Sequence, residues 1–269
     1  NIAADPQWNV LYTWLGINPS PPLGWLPGDP DPRIAQAEKW CQERQWMANA
    51  HAFYPTAPEM EALLMLHTFM INSPSLLVPT HQAWLEQADF APVYRYLRRQ
   101  LQFIQWQTQA PVGKRWILKS PPHLLTLSAL VSEFPDAKLV MTHRHPISSV
   151  GSMFKLVELF QERSAKKVDR EKIKQLWLRN LSLAIDRFMT FRKENEDRII
   201  DVSFSSFVGD PLPSVRQIYD FTGAEISSQT KSAVVEWHKS NPRFKEGNFE
   251  YDLSEYGCDE AEIEESFGP

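Results

Sequence analysis

The sequence predicts an α/β fold in which a short parallel sheet is flanked by many helices. Three short apolar segments, 116–118, 138–142 and 198–202, alternate with longer segments of helical periodicity. This alternation is typical of parallel sheets, because each strand reaches the next through a crossover that is usually a helix. The length of 269 residues is sufficient for one large domain with a sizeable core.

The part of the chain before the first strand is predicted to be mostly helical. Prolines and glycines are dense at 18–32, so that segment forms neither a helix nor a central strand. In the segment that follows it, the apolar residues Val93, Leu97, Leu101 and Ile104 recur at helical spacing. Helices are therefore predicted over 33–49, 59–70, 81–87 and 91–107.

Each of the three predicted strands is followed by a helix. The helix after the first strand has Leu124, Leu127 and Val131 on one face. Three later helices are predicted: the first ends near 160, the second spans 169–193, and the third begins at 210–211 and ends near 221. The C-terminal end of the chain is irregular and acidic, with a weak helix near 260–267.

The composition excludes several classes of protein. There are 28 basic and 33 acidic residues, for a formal net charge of −5, so no nucleic-acid partner is expected. The two cysteines, Cys41 and Cys258, are too few for a disulfide scaffold and favour a reducing, cytoplasmic location. No apolar segment approaches the length of a membrane span, so no integral membrane segment is predicted.

Two strand-to-helix turns of similar build predict a binding site for an anion. The first strand ends in Lys119-Ser120-Pro121, and the second ends in His143-Arg144-His145-Pro146. Each turn has a proline at the expected first helical position, and Ser120 is predicted to cap the first helix. Ligands bind at the carboxyl ends of parallel strands, and the N–H groups of a helix start favour phosphate or sulfate. The basic residues that stand out in this acidic chain are Lys114, Arg115, Lys119, His123, His143, Arg144 and His145. The turns therefore predict a site for a multiply phosphorylated or sulfated small molecule.

The two turns resemble those of the PAPS-dependent sulfotransferases, in the branch that has the motifs LKSPxHL and THRxP. This chain has LKSPPHL at 118–124 and THRHP at 142–146. The segments APEMEALLMLHTF, YRYLRRQLQFIQW, DVSFSSFVGDP and YDLSEYGCDEAEI also resemble segments of that family. The resemblance implies a three-layer α/β domain related to P-loop kinases. It also implies transfer of a sulfuryl group from PAPS (3′-phosphoadenosine 5′-phosphosulfate) to an acceptor hydroxyl or amine, leaving PAP, with no metal.

The resemblance assigns the donor-binding residues. Arg144 and Ser152 match the pair that binds the 3′-phosphate of PAPS. Phe204 stands where relatives often have a tyrosine on the adenosine side. Lys245 and Gly247, in RFKEGNFEY, match a late loop that closes on the nucleotide.

The resemblance also assigns the catalytic residues. Lys119 matches the lysine that stabilises charge developing on the oxygen shared between the sulfate and the leaving phosphate. His123 is the candidate general base, because it follows Lys119 by one turn and an imidazole can accept a proton near neutral pH. The rival bases are His51, Glu59 and Glu61.

The chain departs from the family in one motif. Relatives have a Gly/Ser/Thr-rich loop after the first strand, which binds the 5′-phosphosulfate through backbone N–H groups. No such pattern occurs, and in relatives the helix that follows that loop runs into a segment that AADPQWNVLYTW resembles. The sequence is therefore expected to begin inside that helix, with the first strand and the loop upstream of residue 1. The preferred explanation is a longer natural protein; a true truncation would be inactive.

Two other functions are kept as alternatives. One is a sulfotransferase-like binding module without activity, and the other is a P-loop kinase-like phosphotransferase, which would need a GxxxxGK[ST] motif that is absent. The predicted single domain, 1–269, has a helical acceptor side at 1–110, a nucleotide-binding part at 111–225 and a closing segment at 226–269. The acceptor is a small molecule, lipid or carbohydrate. Relatives include monomers and homodimers, and the sequence does not choose between them.

Overall fold

Four short strands form two parallel pairs within residues 5–111, 113–242 and 245–267, which the computed structural model describes. The strand β1 (Trp8–Val10) pairs with β2 (Arg115–Ile117), and β3 (Leu139–His143) pairs with β4 (Ile199–Ser203). The parallel direction confirms the prediction from the alternation of strands and helices. The prediction that the chain begins inside a helix concerns its first residues, and 1–4 lie outside the described residues.

The described helices follow the strands in the predicted alternation. In chain order they are α1 (Thr13–Ile17), α2 (Arg33–Gln42), α3 (Ala62–Met65), α4 (Pro79–Leu85), α5 (Ala91–Gln107), α6 (Leu127–Glu133), α7 (Pro146–Ser164), α8 (Arg170–Arg192), α9 (Phe204–Gly209), α10 (Pro211–Thr222), α11 (Ser228–Ser240) and α12 (Glu260–Phe267). Short 3₁₀ helices occur at Gln45–Met47, Leu66–Thr68, Pro121–Leu125, Glu196–Arg198 and Leu253–Tyr256. Every helix in the described part of the chain is too short or too polar to cross a membrane.

Side-chain caps explain where the long helices of the second half begin. The Asp169 carboxylate accepts the N–H of Lys172 at 3.1 Å and starts α8. The Asp210 carboxylate accepts the N–H of Leu212 at 3.1 Å and starts α10, with a proline at its first position. Gly223 ends α10 at φ 66°, a left-handed conformation that glycine adopts without strain. These are the boundaries that the sequence predicts.

Two predicted helices are shorter than their sequence patterns. α2 ends at Gln42, because Arg44 donates to the Trp40 carbonyl at 3.2 Å and stacks over the Trp40 ring at 3.8 Å. The predicted helix at 59–70 is reduced to α3 and a 3₁₀ turn, since Glu59 and Glu61 bond to groups outside a helix. α11, by contrast, lies in a segment for which the sequence predicts no helix.

The described residues divide into two compact units. The first unit consists of the described residues of Asn1–Ile71, Asp89–Pro122 and Ile226–Gly247, and it contains β1 and β2. The second takes those within Asn72–Ala88, His123–Glu225 and Asn248–Pro269, and it contains β3 and β4. The functional division at 1–110, 111–225 and 226–269 stays a prediction.

The first unit is built around α5. Tyr94, Leu97 and Ile104 of this helix are fully buried, and α5 packs on α3. Near its surface the buried Arg33 guanidinium bonds to Asp31 at 2.6 Å and lies over the rings of Trp14 and Trp25. Trp14 and Trp25 therefore flank a structural ion pair.

The second unit is built around the packing of α7 on α8. Phe154 and Val157 of α7 lie in one buried cluster with Ile173 and Trp177 of α8. α12 contacts both helices and adds the buried Ile263 to the same cluster. The C-terminal segment is thus part of the core that supports α7.

Candidate functional site

The carboxyl ends of β3 and β4 bring two predicted donor-binding residues together. His143 is paired in register with Ser203, so the next residues, Arg144 and Phe204, leave neighbouring strands at the same level. The Arg144 guanidinium carbon lies 5.3 Å from the centre of the Phe204 ring, which is 38% exposed. Arg144 is exposed and forms no ion pair within the part of the chain that the structure describes. An exposed guanidinium held over a ring can bind a phosphate through two N–H groups.

The start of α7 adds N–H groups and a hydroxyl to the same edge of the second unit. Pro146 occupies the first turn, so the helix begins two residues after Arg144. Ser152 follows in the second turn, where its side chain is half-buried. Its hydroxyl forms no hydrogen bond with any described residue. A helix start with an arginine before it and a hydroxyl in its second turn favours a bound anion.

A carboxylate lies beside these groups, but its charge is compensated. Asp201 of β4 accepts two hydrogen bonds from Arg192, at 2.7 and 2.6 Å, and contacts His143 Nε2 at 2.6 Å. The hydrogen bonds from Arg192, followed by those from His143, lower the pKa of Asp201 to about 2. Because two basic side chains face this one carboxylate, it does not cancel the positive charge of Arg144.

In the first unit, the turn that contains Lys119 is fixed by a buried carboxylate. The backbone N–H of Lys119 donates to Glu61 Oε2 at 2.7 Å, and Glu61 is fully buried. Glu61 is thus enclosed and bonded to a backbone group, which does not fit an acceptor-side base. The predicted cap at Ser120 is wrong, because a 3₁₀ helix begins there and the buried Ser120 hydroxyl has no partner among the described residues.

A histidine–carboxylate pair lies in the same unit. His51 Nε2 is 3.0 Å from Glu59 Oε2, and Glu59 also accepts the N–H of Met60 at 2.8 Å. Burial raises the pKa of Glu59, but the hydrogen bonds from His51 and Met60 and the charge of Lys119 bring it below its ordinary value. A carboxylate bonded to Nε2 leaves the lone pair of a neutral imidazole on Nδ1. The His51 side chain is 28% exposed, so this pair can accept a proton from a bound molecule.

An aromatic cluster of Phe53 and Trp40 extends from His51. The ring of Phe53 lies 4.5 Å from that of His51 and 4.8 Å from that of Trp40. The Arg44 guanidinium lies over the Trp40 ring of this cluster. The cluster gives His51 an apolar border on one side.

The predicted nucleotide loop is attached to the segment that contains His51. Tyr54 donates its hydroxyl to Glu246 at 2.6 Å, and Lys245 Nζ donates to Asn241 at 3.2 Å. Gly247 has φ 102°, which a residue with a side chain adopts only with strain. Two residues of the same motif, Arg243 and Phe244, lie outside the described residues.

The predicted site residues are divided between the two units. Lys119, Lys245 and Gly247 belong to the first, whereas His123, Arg144, Ser152 and Phe204 belong to the second. The His123 side chain is half-buried in the 3₁₀ helix, and its carbonyl accepts the N–H of Thr126 at 2.8 Å. Its role as a base stays a prediction.

Sequence reasoning missed how Glu59 and Glu61 are used. It treats them as rival bases, whereas the structure bonds one to His51 and the other to the Lys119 turn. The signal was present, since two carboxylates two residues apart before an apolar segment must find partners if they are buried. No group of three or more His, Cys, Asp or Glu side chains arranged to hold a metal occurs among the described residues.

Comparisons with known proteins agree on one family. A sequence profile described as "Sulfotransferase family" matches residues 11–228. The structure of sulfotransferase STF1 from Mycobacterium tuberculosis H37Rv superposes with a TM-score of 0.80 at 26% identity, over 99% of this chain and 71% of that one. Sulfotransferase STF9 from Mycobacterium avium shares the fold, with a TM-score of 0.80 at 24% identity over 98% of this chain and 69% of its own. The search of curated proteins gave no significant match.

Proposed function

This chain belongs to the sulfotransferase family, and we propose that its donor is PAPS and its acceptor a small molecule, lipid or glycan with a hydroxyl or amine. Membership of the family confirms the resemblance, the P-loop-kinase-like α/β fold and the sulfuryl transfer that the sequence predicts. The nucleotide donor, the acceptor class and the residue roles belong to the proposal.

The arrangement of Arg144, Phe204 and Ser152 supports PAPS as the donor. PAPS differs from simpler adenine nucleotides by its 3′-phosphate, which needs a cation and further hydrogen-bond donors. Arg144 supplies the cation, Ser152 a hydroxyl, and the first turn of α7 its N–H groups. The Phe204 ring beside Arg144 offers a flat apolar face to the adenosine. Lys245 and Gly247 are proposed to close on the nucleotide.

The proposed reaction is an in-line displacement at sulfur. The acceptor oxygen or nitrogen forms a bond to the sulfur while the bond between sulfur and the bridging oxygen breaks, so PAP leaves with that oxygen on its 5′-phosphate. The Lys119 ammonium stabilises the charge that develops on the bridging oxygen. A general base takes the proton that the acceptor loses.

Two histidines are candidates for this base, and the structure supports His51 more directly than His123. A base works best when another group fixes its tautomer, and the Glu59 carboxylate does this for His51. Lys119 influences the same carboxylate, so the pair and the catalytic lysine share one local electrostatic environment.

The proposal is tested by calorimetric titration with PAP and with AMP, which lacks the 3′-phosphate. We expect PAP to bind at least about tenfold more tightly than AMP, the ratio expected for one charged hydrogen bond. Arg144→Ala should lower that ratio by about tenfold. Arg216→Ala is the matched control, because Arg216 is likewise exposed in the second unit and has no ion pair with described residues. Equal affinities for PAP and AMP in the unaltered protein would overturn PAPS as the donor.

A further inference from the structure

A glycine in the second turn of α7 is covered by an aromatic ring. Gly151 is buried, and a Cβ at this position would overlap the ring of Tyr251 and lie 2.9 Å from its Cζ. Glycine inside a helix costs about 1 kcal/mol relative to alanine. The close approach of the Tyr251 ring accounts for a glycine at this position.

The same tyrosine also contacts the first turn of α7. Its hydroxyl donates to the Ser148 carbonyl at 3.4 Å. In an α-helix the carbonyl of residue 148 also accepts the N–H of residue 152. Tyr251 therefore contacts the backbone just before Ser152 and the carbonyl to which the N–H of Ser152 points.

The segment that holds Tyr251 is anchored a second time on α7. Five residues on, the buried Tyr256 donates its hydroxyl to Glu158 at 2.7 Å. Glu158 is buried and also accepts bonds from Lys155 at 2.8 Å and Arg170 at 2.7 Å. Because the backbone after Tyr251 is fixed in this way, its ring is held on Gly151 rather than lying loosely on the surface.

We propose that Tyr251 is a positioning residue for nucleotide binding. The Tyr251 ring lies against Gly151 and thereby aligns Ser152, the next residue of α7. The inference rests on the proposed function, in which the Ser152 hydroxyl binds the 3′-phosphate of PAPS. A hydroxyl contributes its full hydrogen bond only when its backbone is fixed before the ligand arrives. In this proposal Tyr251 fixes the backbone at Ser152 before the nucleotide binds, without contacting the nucleotide itself.

The test compares PAP and AMP affinities of Tyr251 variants by calorimetry. Tyr251→Ala should weaken PAP binding by about tenfold, the value of one hydrogen bond to a charged group, and leave AMP binding unchanged. Tyr251→Phe should keep most of the PAP affinity, since it retains the ring on Gly151 and loses only a long hydrogen bond. A general loss of stability would weaken the binding of PAP and of AMP alike, so the ratio of the two affinities is the decisive readout.

The glycine provides an independent set of variants. Gly151→Ala should displace the ring and reproduce the effect of Tyr251→Ala. Gly209→Ala is the control, because an added Cβ at this helical glycine meets nothing within 4 Å. In the double variant, which carries both Gly151→Ala and Tyr251→Ala, the ring is absent and the added methyl group has room. The PAP affinity of the double variant should therefore equal that of Tyr251→Ala alone.

Each outcome is informative. Additive effects of the two substitutions, or an unchanged PAP-to-AMP ratio in Tyr251→Ala, would overturn the positioning role. If Tyr251→Ala does not fold, Tyr251→Leu takes its place, since it removes the flat ring from Gly151 but keeps an apolar side chain for stability. A failure of the proposed function is recognised separately, because the unaltered protein would then not distinguish PAP from AMP.

Discussion

At the scale of single residues, two carboxylates order the chemistry of the first unit. Glu59 and Glu61 are separated by one residue, yet one bonds to an imidazole and the other to the backbone of the Lys119 turn. The partner of Glu59 is eight positions away in the sequence, whereas Glu61 and Lys119 are 58 positions apart. The sequence identifies both as chemically relevant, but it does not show that Glu59 turns back to His51 or that Glu61 reaches the distant Lys119 turn.

The pairing of His51 with Glu59 leads to a prediction about the general base. His51→Gln and Glu59→Gln should each lower the rate of PAP release from PAPS, by about 100-fold for His51 and less for Glu59. PAP affinity should stay within about twofold, because neither residue is proposed to bind the nucleotide. Water serves as the acceptor, so the assay requires no knowledge of the natural one.

His123→Gln is the comparison for that experiment. If His51 is the base, the variant at 123 should release PAP at nearly the normal rate. A large loss in His123→Gln with normal rates in both His51→Gln and Glu59→Gln would return the base to His123, as the sequence alone predicts.

At the scale of elements, α7 connects the proposed nucleotide site to the core. Its start is predictable, since a proline follows His145 and fixes the first turn. The tyrosines that contact it are not predictable in this way. Tyr251 and Tyr256 reach α7 across 103 and 98 positions of sequence, and only the folded chain brings them there.

The buried Glu158 on α7 leads to a prediction about stability. Burial raises its pKa, but the hydrogen bonds from Lys155, Tyr256 and Arg170 bring it below the ordinary value of 4.5. The stabilising contribution is therefore complete above pH 4.5 and is lost as the pH falls through the lower pKa of the folded protein. Glu158→Gln should lower the free energy of unfolding at neutral pH by about 2 kcal/mol.

Urea unfolding at several pH values measures this effect. The difference in free energy of unfolding between the unaltered protein and Glu158→Gln should narrow below pH 4.5. There the carboxylate begins to take up a proton in the unfolded chain, and at lower pH also in the folded protein. Glu162→Gln is the control, since Glu162 is exposed on the same helix and has no partner among the described residues. A difference that stays constant down to acid pH would mean that the charge of Glu158 does not stabilise the fold.

At the scale of the whole molecule, the alternation of strands and helices was sufficient to predict the fold class. Each predicted strand lies within one residue of an observed one, because short apolar segments between helices have few other uses. The order of pairing was not predictable. β1 has no apolar run of its own, and its place beside β2 depends on a partner more than 100 positions away.

The net charge of −5 makes a final prediction at this scale. The overall field repels an anionic nucleotide, so binding depends on the local positive charge of Arg144 and the start of α7. Raising the salt concentration from about 0.1 M to about 1 M shortens the Debye length from about 10 Å to about 3 Å. This screens the distant acidic residues and the exposed Arg144 alike, but Arg144 is proposed to contact the 3′-phosphate and so should contribute more. PAP affinity should therefore fall with salt, and it should fall more than that of AMP, because PAP has a second phosphate beside Arg144. In Arg144→Ala the affinities of the two nucleotides should show the same weak dependence on salt.

Calorimetry across this range of salt concentration tests the prediction. Equal salt dependence of PAP and AMP affinity in the unaltered protein would mean that the 3′-phosphate does not lie beside an exposed cation.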